Sequence, residues 1–278
     1  MHFADRRSAV GAPDPVTWID AGGTRLAVMR RGRGDPVICL HAIGHGAGDF
    51  EPLAARVSER FEIVAPDWPG QGRSPADDKP PTPAHYASLL LSAMDALGIG
   101  RAIVLGNSIG GATALHFAAA HPERVRALVL CNAGGLAALT PFTRFLIGRF
   151  AAFFGAGERR KAWFGPAFRL YYANVLKRAP EQRERIVASG YEIAGVLREA
   201  WQGFAEPQAD IRALASKIAC PVWIAWAKDD RILAWSRCKA AAEKFPDVRV
   251  ALFAGGHAAF LEDPDNFAAA FSAFAQGL

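Results

Sequence analysis

The serine at position 108 has the sequence surroundings of an activated nucleophile. It lies in the segment Gly106-Asn107-Ser108-Ile109-Gly110, so that glycines stand two residues before and two residues after it. An apolar run at 102–105 precedes this segment and a run of helix-forming residues at 112–120 follows it, which predicts a strand, a sharp turn and a helix. At the start of a helix, free N–H groups favour a developing negative charge beside the hydroxyl. The pattern therefore predicts that Ser108 attacks an electrophilic carbon.

A serine hydroxyl needs a base, and the sequence offers a histidine in a suitable position. His257 follows Gly255-Gly256 just beyond the last apolar run of the chain, and Asp229 and Asp230 follow the apolar run before that one. A neutral imidazole takes the proton of the serine and later donates it to the leaving group, while a carboxylate fixes the imidazole tautomer. The order serine, aspartate, histidine is the one expected for a nucleophile on a strand–turn–helix.

These side chains meet only if the fold brings distant segments together, and the alternation of apolar runs with helical patterns predicts how. After a β-hairpin predicted over 16–29, short apolar runs occur at 36–40, 61–65, 102–105, 125–130, 221–226 and 248–253. Most of these runs are separated by predicted helices, which indicates parallel strands joined by crossovers. His41, Asp67 and Ser108 each follow a strand, so we expect them at the same edge of the sheet, where sites of such folds lie.

The alternation stops between residues 136 and 216. This segment shows no strand pattern, is rich in aromatic residues, and contains 12 Lys and Arg against 7 Asp and Glu. It predicts an inserted helical cap (136–216) between two parts of the core (1–135 and 217–278). Most of its aromatic residues are expected to pack the helices together, and a few to line an apolar pocket. The excess positive charge fits a solvated helix face; the alternative is an anionic substrate.

The composition narrows the functional classes. Half of the residues are hydrophobic, which is typical of a globular chain. No basic run suggests nucleic-acid binding, no cysteine or histidine pair has metal spacing, and no apolar stretch is long enough to span a membrane. Neither cofactor nor metal is expected. Four isolated cysteines and an N-terminal segment without a signal-peptide pattern predict a cytoplasmic protein. The oligomeric state stays open.

The chain resembles the α/β-hydrolase family over nearly its whole length. The resemblance rests on His41-Ala42-Ile43-Gly44, Asp67-Trp68-Pro69-Gly70-Gln71-Gly72-Arg73-Ser74, Gly106-Asn107-Ser108-Ile109-Gly110-Gly111, Lys228-Asp229-Asp230-Arg231 and Gly256-His257. It implies a mostly parallel, eight-stranded sheet with helices on both faces and an inserted cap. It also implies Ser108 as the nucleophile and His257 as the base. Because the family places its acid directly before the Arg or Pro of the fourth segment, it implies Asp230 rather than Asp229.

The resemblance further implies an oxyanion hole. The family uses the backbone N–H after the nucleophile, here Ile109, and an N–H from the loop after the third strand, here Ile43. The family usually has glycine at the position of Ala42. Asp67 matches a structural position of the family, not a catalytic one.

Within the family, three segments are similar to the carbon–carbon bond hydrolases of aromatic meta-cleavage products. They are residues 106–115, the junction Asn132-Ala133-Gly134-Gly135-Leu136 and residues 226–231. Those enzymes generally have a proline where His45 stands and a tryptophan where Ala258 stands. They are also expected to contact the acid end of the substrate with a cap arginine, for which Arg183 and Arg185 are candidates. The similarity is therefore clear around the serine and weak in the pocket.

Together these features predict a serine hydrolase of small molecules that cleaves a carboxylic ester or lactone with an apolar part through an acyl-enzyme. The alternative reaction is carbon–carbon bond hydrolysis with the same residues. A receptor that binds a small molecule without turnover is the non-enzymatic alternative.

Overall fold

A computed structural model describes residues 16–278 of the protein, so the N-terminal segment considered above lies outside the described residues. The described chain contains one eight-stranded sheet in the order β1-β2-β4-β3-β5-β6-β7-β8. Its strands are β1 (Thr17–Ala21), β2 (Thr24–Gly32), β3 (Asp35–Leu40), β4 (Phe61–Pro66), β5 (Ala102–Asn107), β6 (Val125–Cys131), β7 (Val222–Ala227) and β8 (Val248–Phe253).

Six of the eight strands run parallel. The hairpin β1–β2 is antiparallel and joins β4 in antiparallel register, whereas β4, β3, β5, β6, β7 and β8 are all parallel neighbours. Every residue of β5 and of β7 is buried, which explains their unbroken apolar sequences. The predicted eight-stranded, mostly parallel sheet is confirmed.

Helices cover both faces of the sheet. The core helices are α1 (Glu51–Val57), α2 (Pro83–Ala96), α3 (Ile109–Ala120), α8 (Trp235–Ala242), α9 (Ala259–Glu262) and α10 (Pro264–Gln276). A short 3-10 helix occupies Ala47–Phe50, and α1 ends at Val57 because the chain turns there, with Arg60 N donating to Val57 O, before it enters β4.

Only helices lie between β6 and β7 in the described chain. They are α4 (Pro141–Glu158), α5 (Phe164–Val175), α6 (Pro180–Ala188) and α7 (Ala194–Gly203), followed by two 3-10 segments, Pro207–Ala209 and Arg212–Lys217. Helix α4 packs along α7. Phe154, Phe164 and Phe168 are almost completely buried and contact one another's rings or those of their neighbours. Most aromatic residues of this helical insertion therefore pack its helices together, as expected.

The turn between β5 and α3 is strained and tightly packed. Ser108 has φ 56° and ψ −117°, in the region that residues with a side chain rarely occupy. A Cβ on Gly106 would lie 2.3 Å from the carbonyl oxygen of Gly110, and a Cβ on Gly110 would lie 2.2 Å from the carbonyl oxygen of Leu40. The two glycines are needed because α3 passes directly over β5 and β3.

This packing predicts that Gly110→Ala destabilises the protein whereas Gly100→Ala does not. A methyl group at 110 collides with backbone, which costs about 1–3 kcal/mol or more of unfolding free energy. No atom lies within 4 Å of a Cβ at Gly100, so its substitution should change that free energy by less than about 0.5 kcal/mol. Denaturant unfolding of both variants checks this, and equal stabilities would contradict the account of the turn.

Candidate active site

A cavity of about 160 Å³ lies where the carboxyl ends of the strands meet the helical insertion. Ser108 and His257 both line it, together with Ile43 and Ile109. Most of the remaining wall is apolar and includes Ile147, Leu197, Trp201 and Phe204 of the insertion and its flank. Among the described residues, no Lys, Arg, Asp or Glu lines this cavity. The sequence-predicted serine and histidine therefore share one small, apolar chamber.

The His257 ring is held by a single carboxylate. Its Nδ1 lies 2.8 Å from Oδ2 of Asp230, and both side chains are buried. Oδ1 of Asp230 accepts hydrogen bonds from the backbone N–H groups of Ile232 (2.7 Å) and Leu233 (3.0 Å). Asp229 is exposed and makes no contact with the ring. Because Nδ1 donates to Asp230, Nε2 is the ring nitrogen left to accept a proton.

Asn132 is part of this network, and sequence reasoning gave it no role. Its Nδ2 donates to Oδ2 of Asp230 at 2.6 Å, and its Oδ1 accepts from the backbone N–H of Ala227 at 2.9 Å. Asn132 has φ 44°, a conformation that asparagine tolerates better than most residues. Two signals pointed to it: Asn132 directly follows β6, and it opens the junction that resembles the carbon–carbon bond hydrolases. Asn132 positions Asp230 and thereby the His257 ring.

The backbone of His257 is fixed from two further directions. Its N–H donates to the carbonyl of Val175 at 2.8 Å, and its carbonyl accepts from Nδ2 of Asn107 at 2.9 Å. Gly256 N–H donates to Oε1 of the buried Glu262 at 2.7 Å. A Cβ on Gly256 would lie 2.2 Å from the Val175 carbonyl oxygen, which explains the glycine before the histidine.

Electrostatics favour a basic imidazole at this position. Burial alone would lower the pKa of His257, but the charge and hydrogen bond of Asp230 outweigh burial, and Glu262 adds to the effect. The net result is a pKa of His257 above the ordinary histidine value of 6.5. A raised pKa suits a group that must accept a proton from a serine hydroxyl.

The Ser108 hydroxyl makes no hydrogen bond within residues 16–278. Its backbone is well fixed, since Ser108 N–H donates to Cys131 O at 3.2 Å and its carbonyl accepts from Gly134 N–H at 2.9 Å. In enzymes without substrate, hydrogen bonds between nucleophile and base are often long and shorten on binding. The structure thus brings Ser108 and His257 to one cavity without a hydrogen bond between them.

Two backbone N–H groups beside Ser108 are free to bind an oxyanion. Those of Ile43 and Ile109 donate to no acceptor in the described chain. The loop that carries Ile43 is held by its neighbour, because Gly44 N–H donates to Oε1 of Gln71 at 2.7 Å. Ala42 is not among the residues with positive φ, so its Cβ causes no backbone strain where the family usually has glycine.

His41 and Asp67 hold loops and do not line the cavity. His41 Nε2 accepts from the backbone N–H of Trp68 at 3.0 Å, and burial lowers its pKa. The carboxylate of Asp67 accepts from the N–H groups of Ala47 (2.6 Å) and Arg73 (2.9 Å). These contacts agree with a structural position for Asp67.

The two arginines of the helical insertion that were candidates to contact a substrate's acid end bind other groups. Arg185 forms an ion pair with the buried Asp49, and Arg183 donates to the backbone carbonyl of Leu176 at 3.2 Å. Neither lines the cavity that contains Ser108.

Three other features bear on the sequence predictions. Residues 16–278 contain no group of three or more His, Cys, Asp or Glu side chains arranged to hold a metal ion. All four cysteines are free, and three of them are buried. None of the described helices has both the length and the apolar character needed to cross a membrane.

Comparison with known proteins identifies the family. A family profile described as "alpha/beta hydrolase fold" matches residues 35–264. The chain belongs to the α/β-hydrolase family. Within that family, RutD of Klebsiella pneumoniae (strain 342), which carries the provisional name carbamate hydrolase, is 34% identical over 248 residues, covering 84% of this chain and 89% of RutD.

Two further comparisons place this α/β-hydrolase among proteins of different activity. A 2-hydroxymuconate semialdehyde hydrolase from Pseudomonas putida is 37% identical over 134 residues, covering 45% of this chain and 46% of that protein. A thermophilic esterase from Thermogutta terrifontis has a TM-score of 0.81 at 20% identity, covering 95% of this chain and 98% of the esterase. The second likeness concerns the fold alone.

The contact between Asp230 and His257 predicts which aspartate matters for turnover. Asp230→Asn should lower kcat for an ester by roughly 10⁴-fold, because the imidazole then loses its tautomer control and its stabilising charge. The matched variant Asp229→Asn, at an exposed neighbour, should stay within a few-fold of the wild type. Steady-state kinetics of the two variants checks this, and the reverse ranking would contradict it.

The raised pKa of His257 predicts the acid limb of the pH profile. The neutral imidazole is the active base, so activity is lost as the pH falls through the pKa of the folded protein. For the free enzyme, kcat/KM should therefore decline on the acid side with a midpoint above 6.5, the ordinary value. Any residual activity of Asp230→Asn should decline at lower pH than the wild type. A wild-type midpoint below the ordinary value would contradict this electrostatic account.

Proposed function

We propose that this α/β-hydrolase is a serine hydrolase that cleaves a carboxylic ester or a lactone with an apolar part. Ser108 is the nucleophile, His257 is the general base, and the carboxylate of Asp230 orients the His257 ring. The observation that carries the proposal is the buried 2.8 Å contact between His257 Nδ1 and Asp230, in a cavity that also contains Ser108 and two free N–H groups. The proposed reaction needs no catalytic group besides these three side chains and two N–H groups.

The reaction divides into acylation and deacylation. His257 Nε2 takes the proton of Ser108 as Oγ attacks the carbonyl carbon, and the oxyanion binds the N–H groups of Ile43 and Ile109. His257 then donates the proton to the departing alkoxide, which leaves an acyl-serine. Water, deprotonated by His257, attacks the acyl carbon, and the Ser108 oxygen departs with the proton. The positive charge on His257 in each step is balanced by Asp230.

The wall of the cavity favours a neutral substrate. No Lys or Arg of the described chain lines it, and the candidate arginines Arg183 and Arg185 bind other groups. A charged carboxylate in an apolar, buried chamber costs several kcal/mol or more unless it is paired. These features support an ester or lactone over the acidic product of ring cleavage.

Carbon–carbon bond hydrolysis is the second candidate. The observation in its favour is the 37% identity to the 2-hydroxymuconate semialdehyde hydrolase from Pseudomonas putida, although that match covers less than half of either chain. The same three residues would act on a ketone carbonyl in place of an ester carbonyl.

A receptor that binds a small molecule without turnover is the third candidate. The presence of Ser108, His257 and Asp230 together argues against it, because a receptor does not need all three residues.

We further propose that residues 136–216 act as a cap and that the protein works in the cytoplasm. Leu197 and Trp201 of α7 and Ile147 of α4 form part of the cavity wall, which supports a cap that sets substrate size.

The proposed location in the cytoplasm is supported by the four free cysteines, because a reducing compartment keeps thiols from forming disulfides.

A substrate panel tests the proposed reaction. It contains p-nitrophenyl esters from acetyl to octanoyl, aliphatic lactones, a carbamate and one dienoic ring-cleavage product. We expect turnover of esters or lactones with kcat/KM rising as the acyl chain lengthens, because the cavity buries apolar surface. Fast cleavage of the dienoic product with poor ester turnover would favour the second candidate, and binding without turnover the third.

The nucleophile is tested by Ser108→Ala. This variant should lose ester turnover by roughly 10⁴-fold or more and should no longer react with an organophosphonate, which labels the wild type once. Ser216→Ala, which changes an exposed serine of the insertion, is the matched control and should behave as the wild type. Turnover by Ser108→Ala at the wild-type rate would overturn the assignment.

A further inference from the structure

A second histidine–carboxylate pair lies in the wall of the same cavity. His45, on the loop that carries Ile43, places its Nδ1 2.5 Å from Oδ2 of Asp49. The Asp49 side chain is completely buried, and its Oδ1 accepts a hydrogen bond from Arg185 of α6. The pair thus joins the candidate oxyanion loop to the helical insertion.

The state of Asp49 determines which nitrogen of His45 is available. Burial would raise the pKa of Asp49, but the interactions with His45 and Arg185 outweigh it, so the pKa lies below the ordinary value. Asp49 is therefore a carboxylate at neutral pH and can only accept hydrogen bonds. The Nδ1 of His45 must carry the hydrogen, and Nε2 is left for another partner.

That nitrogen has no hydrogen-bond partner in the described chain. It is not among the fully buried, unpaired side-chain atoms of the described residues, so it is open to a cavity although His45 as a whole is only 5% exposed. The Asp49 contact and a ring contact with Tyr172, with centroids 5.7 Å apart, hold the imidazole in place. A fixed, buried ring with one unused nitrogen is a preorganised binding group.

The wall of the Ser108 cavity contains few basic groups, and His45 is one of them. His45 lines both this cavity and a second cavity of about 900 Å³. In the described wall of the Ser108 cavity, His45 and His257 are the two basic side chains. Tyr171, Tyr172 and Thr143 contribute neutral hydroxyl groups to the same wall, since burial raises the pKa of both tyrosines. His45 differs from them because a buried carboxylate fixes its ring, and it differs from His257 because its partner is Asp49 and not Asp230.

We propose that Nε2 of His45 binds a hydroxyl group of the substrate, so that the preferred substrate is a hydroxylated ester or lactone. This inference rests on the proposed hydrolase function and adds the substrate class. A hydroxyl group pairs with Nε2 in either protonation state of the ring, because it both donates and accepts. A carboxylate would pair only with the imidazolium and would bring a charge into an apolar wall.

The test compares matched substrates that differ by one hydroxyl group. The probes are p-nitrophenyl hexanoate and its two derivatives with a hydroxyl on carbon 3 or on carbon 6, with p-nitrophenyl adipate as the carboxylate probe. The wild type should prefer at least one hydroxylated isomer by about tenfold in kcat/KM, the gain expected of one neutral hydrogen bond. Equal rates for the unsubstituted ester and both derivatives, or a preference for the adipate ester, would overturn the proposal.

Two variants assign the preference to the ring nitrogen. His45→Phe keeps an aromatic ring without a nitrogen and should reduce the ratio of hydroxylated to unsubstituted kcat/KM to about one, whereas His45→Gln should retain part of the ratio. His116→Phe, which replaces a histidine on α3 that does not line the cavity, should keep the wild-type ratio. An unchanged ratio in His45→Phe would refute the role of His45.

A wild-type measurement keeps the proposal testable if a variant fails to fold. The hydroxyhexanamide that corresponds to the preferred isomer should inhibit the wild-type enzyme about tenfold more strongly than hexanamide does. Equal inhibition would contradict the proposal. Failure of the hydrolase function itself would look different, since no ester in the series would then be turned over.

Discussion

The active site depends above all on how His257 is held. Its backbone N–H binds Val175 of the insertion, its carbonyl binds Asn107 of the nucleophile strand, and its ring binds Asp230 at the end of β7. Each partner comes from a different segment of the chain, so the histidine has one orientation only when all three segments are folded. This convergence gives the imidazole one fixed position, which its proposed role as a general base requires.

The helical insertion therefore has a second role besides forming the cavity wall. Glu262, buried beside the His257 loop, accepts hydrogen bonds from the backbone of Lys177 (2.7 Å) and Arg178 (2.9 Å), where the chain leaves α5, and from Gly256. The ion pair between Arg185 and Asp49 makes a similar connection to the loop of Ile43. The insertion is thus bonded, through Glu262, to the segment that precedes His257 and, through Asp49, to the loop of Ile43.

The sequence was sufficient for those features that depend on local pattern. Strand alternation and the glycines around Ser108 predict the sheet and its strained turn because sterics and burial act within a few residues. The preference for Asp230 over Asp229 came from a family motif, since two neighbouring aspartates are equivalent in composition. The His257 ring contacts Asp230 in the structure.

Features that depend on long-range contacts were not predictable. Asn132 and Glu262 make their contacts only when β6, β7 and α9 come together, and nothing in the sequence identifies the partner of either residue. The same holds for Arg183 and Arg185. The resemblance to carbon–carbon bond hydrolases made them candidates for contact with substrate, but Arg185 instead pairs with the buried Asp49, which needs a counter-charge.

The central claim is that Ser108 is acylated during turnover, and direct observation of the acyl-enzyme tests it best. An ester that is turned over is mixed with a stoichiometric amount of enzyme, quenched in acid on the millisecond scale, and digested for peptide mass spectrometry. The account predicts the acyl mass on the peptide that contains Ser108, formed with the burst of released alcohol and lost at the steady-state rate. Turnover with no acylated peptide at any time, or with the acyl group on another residue, would contradict it.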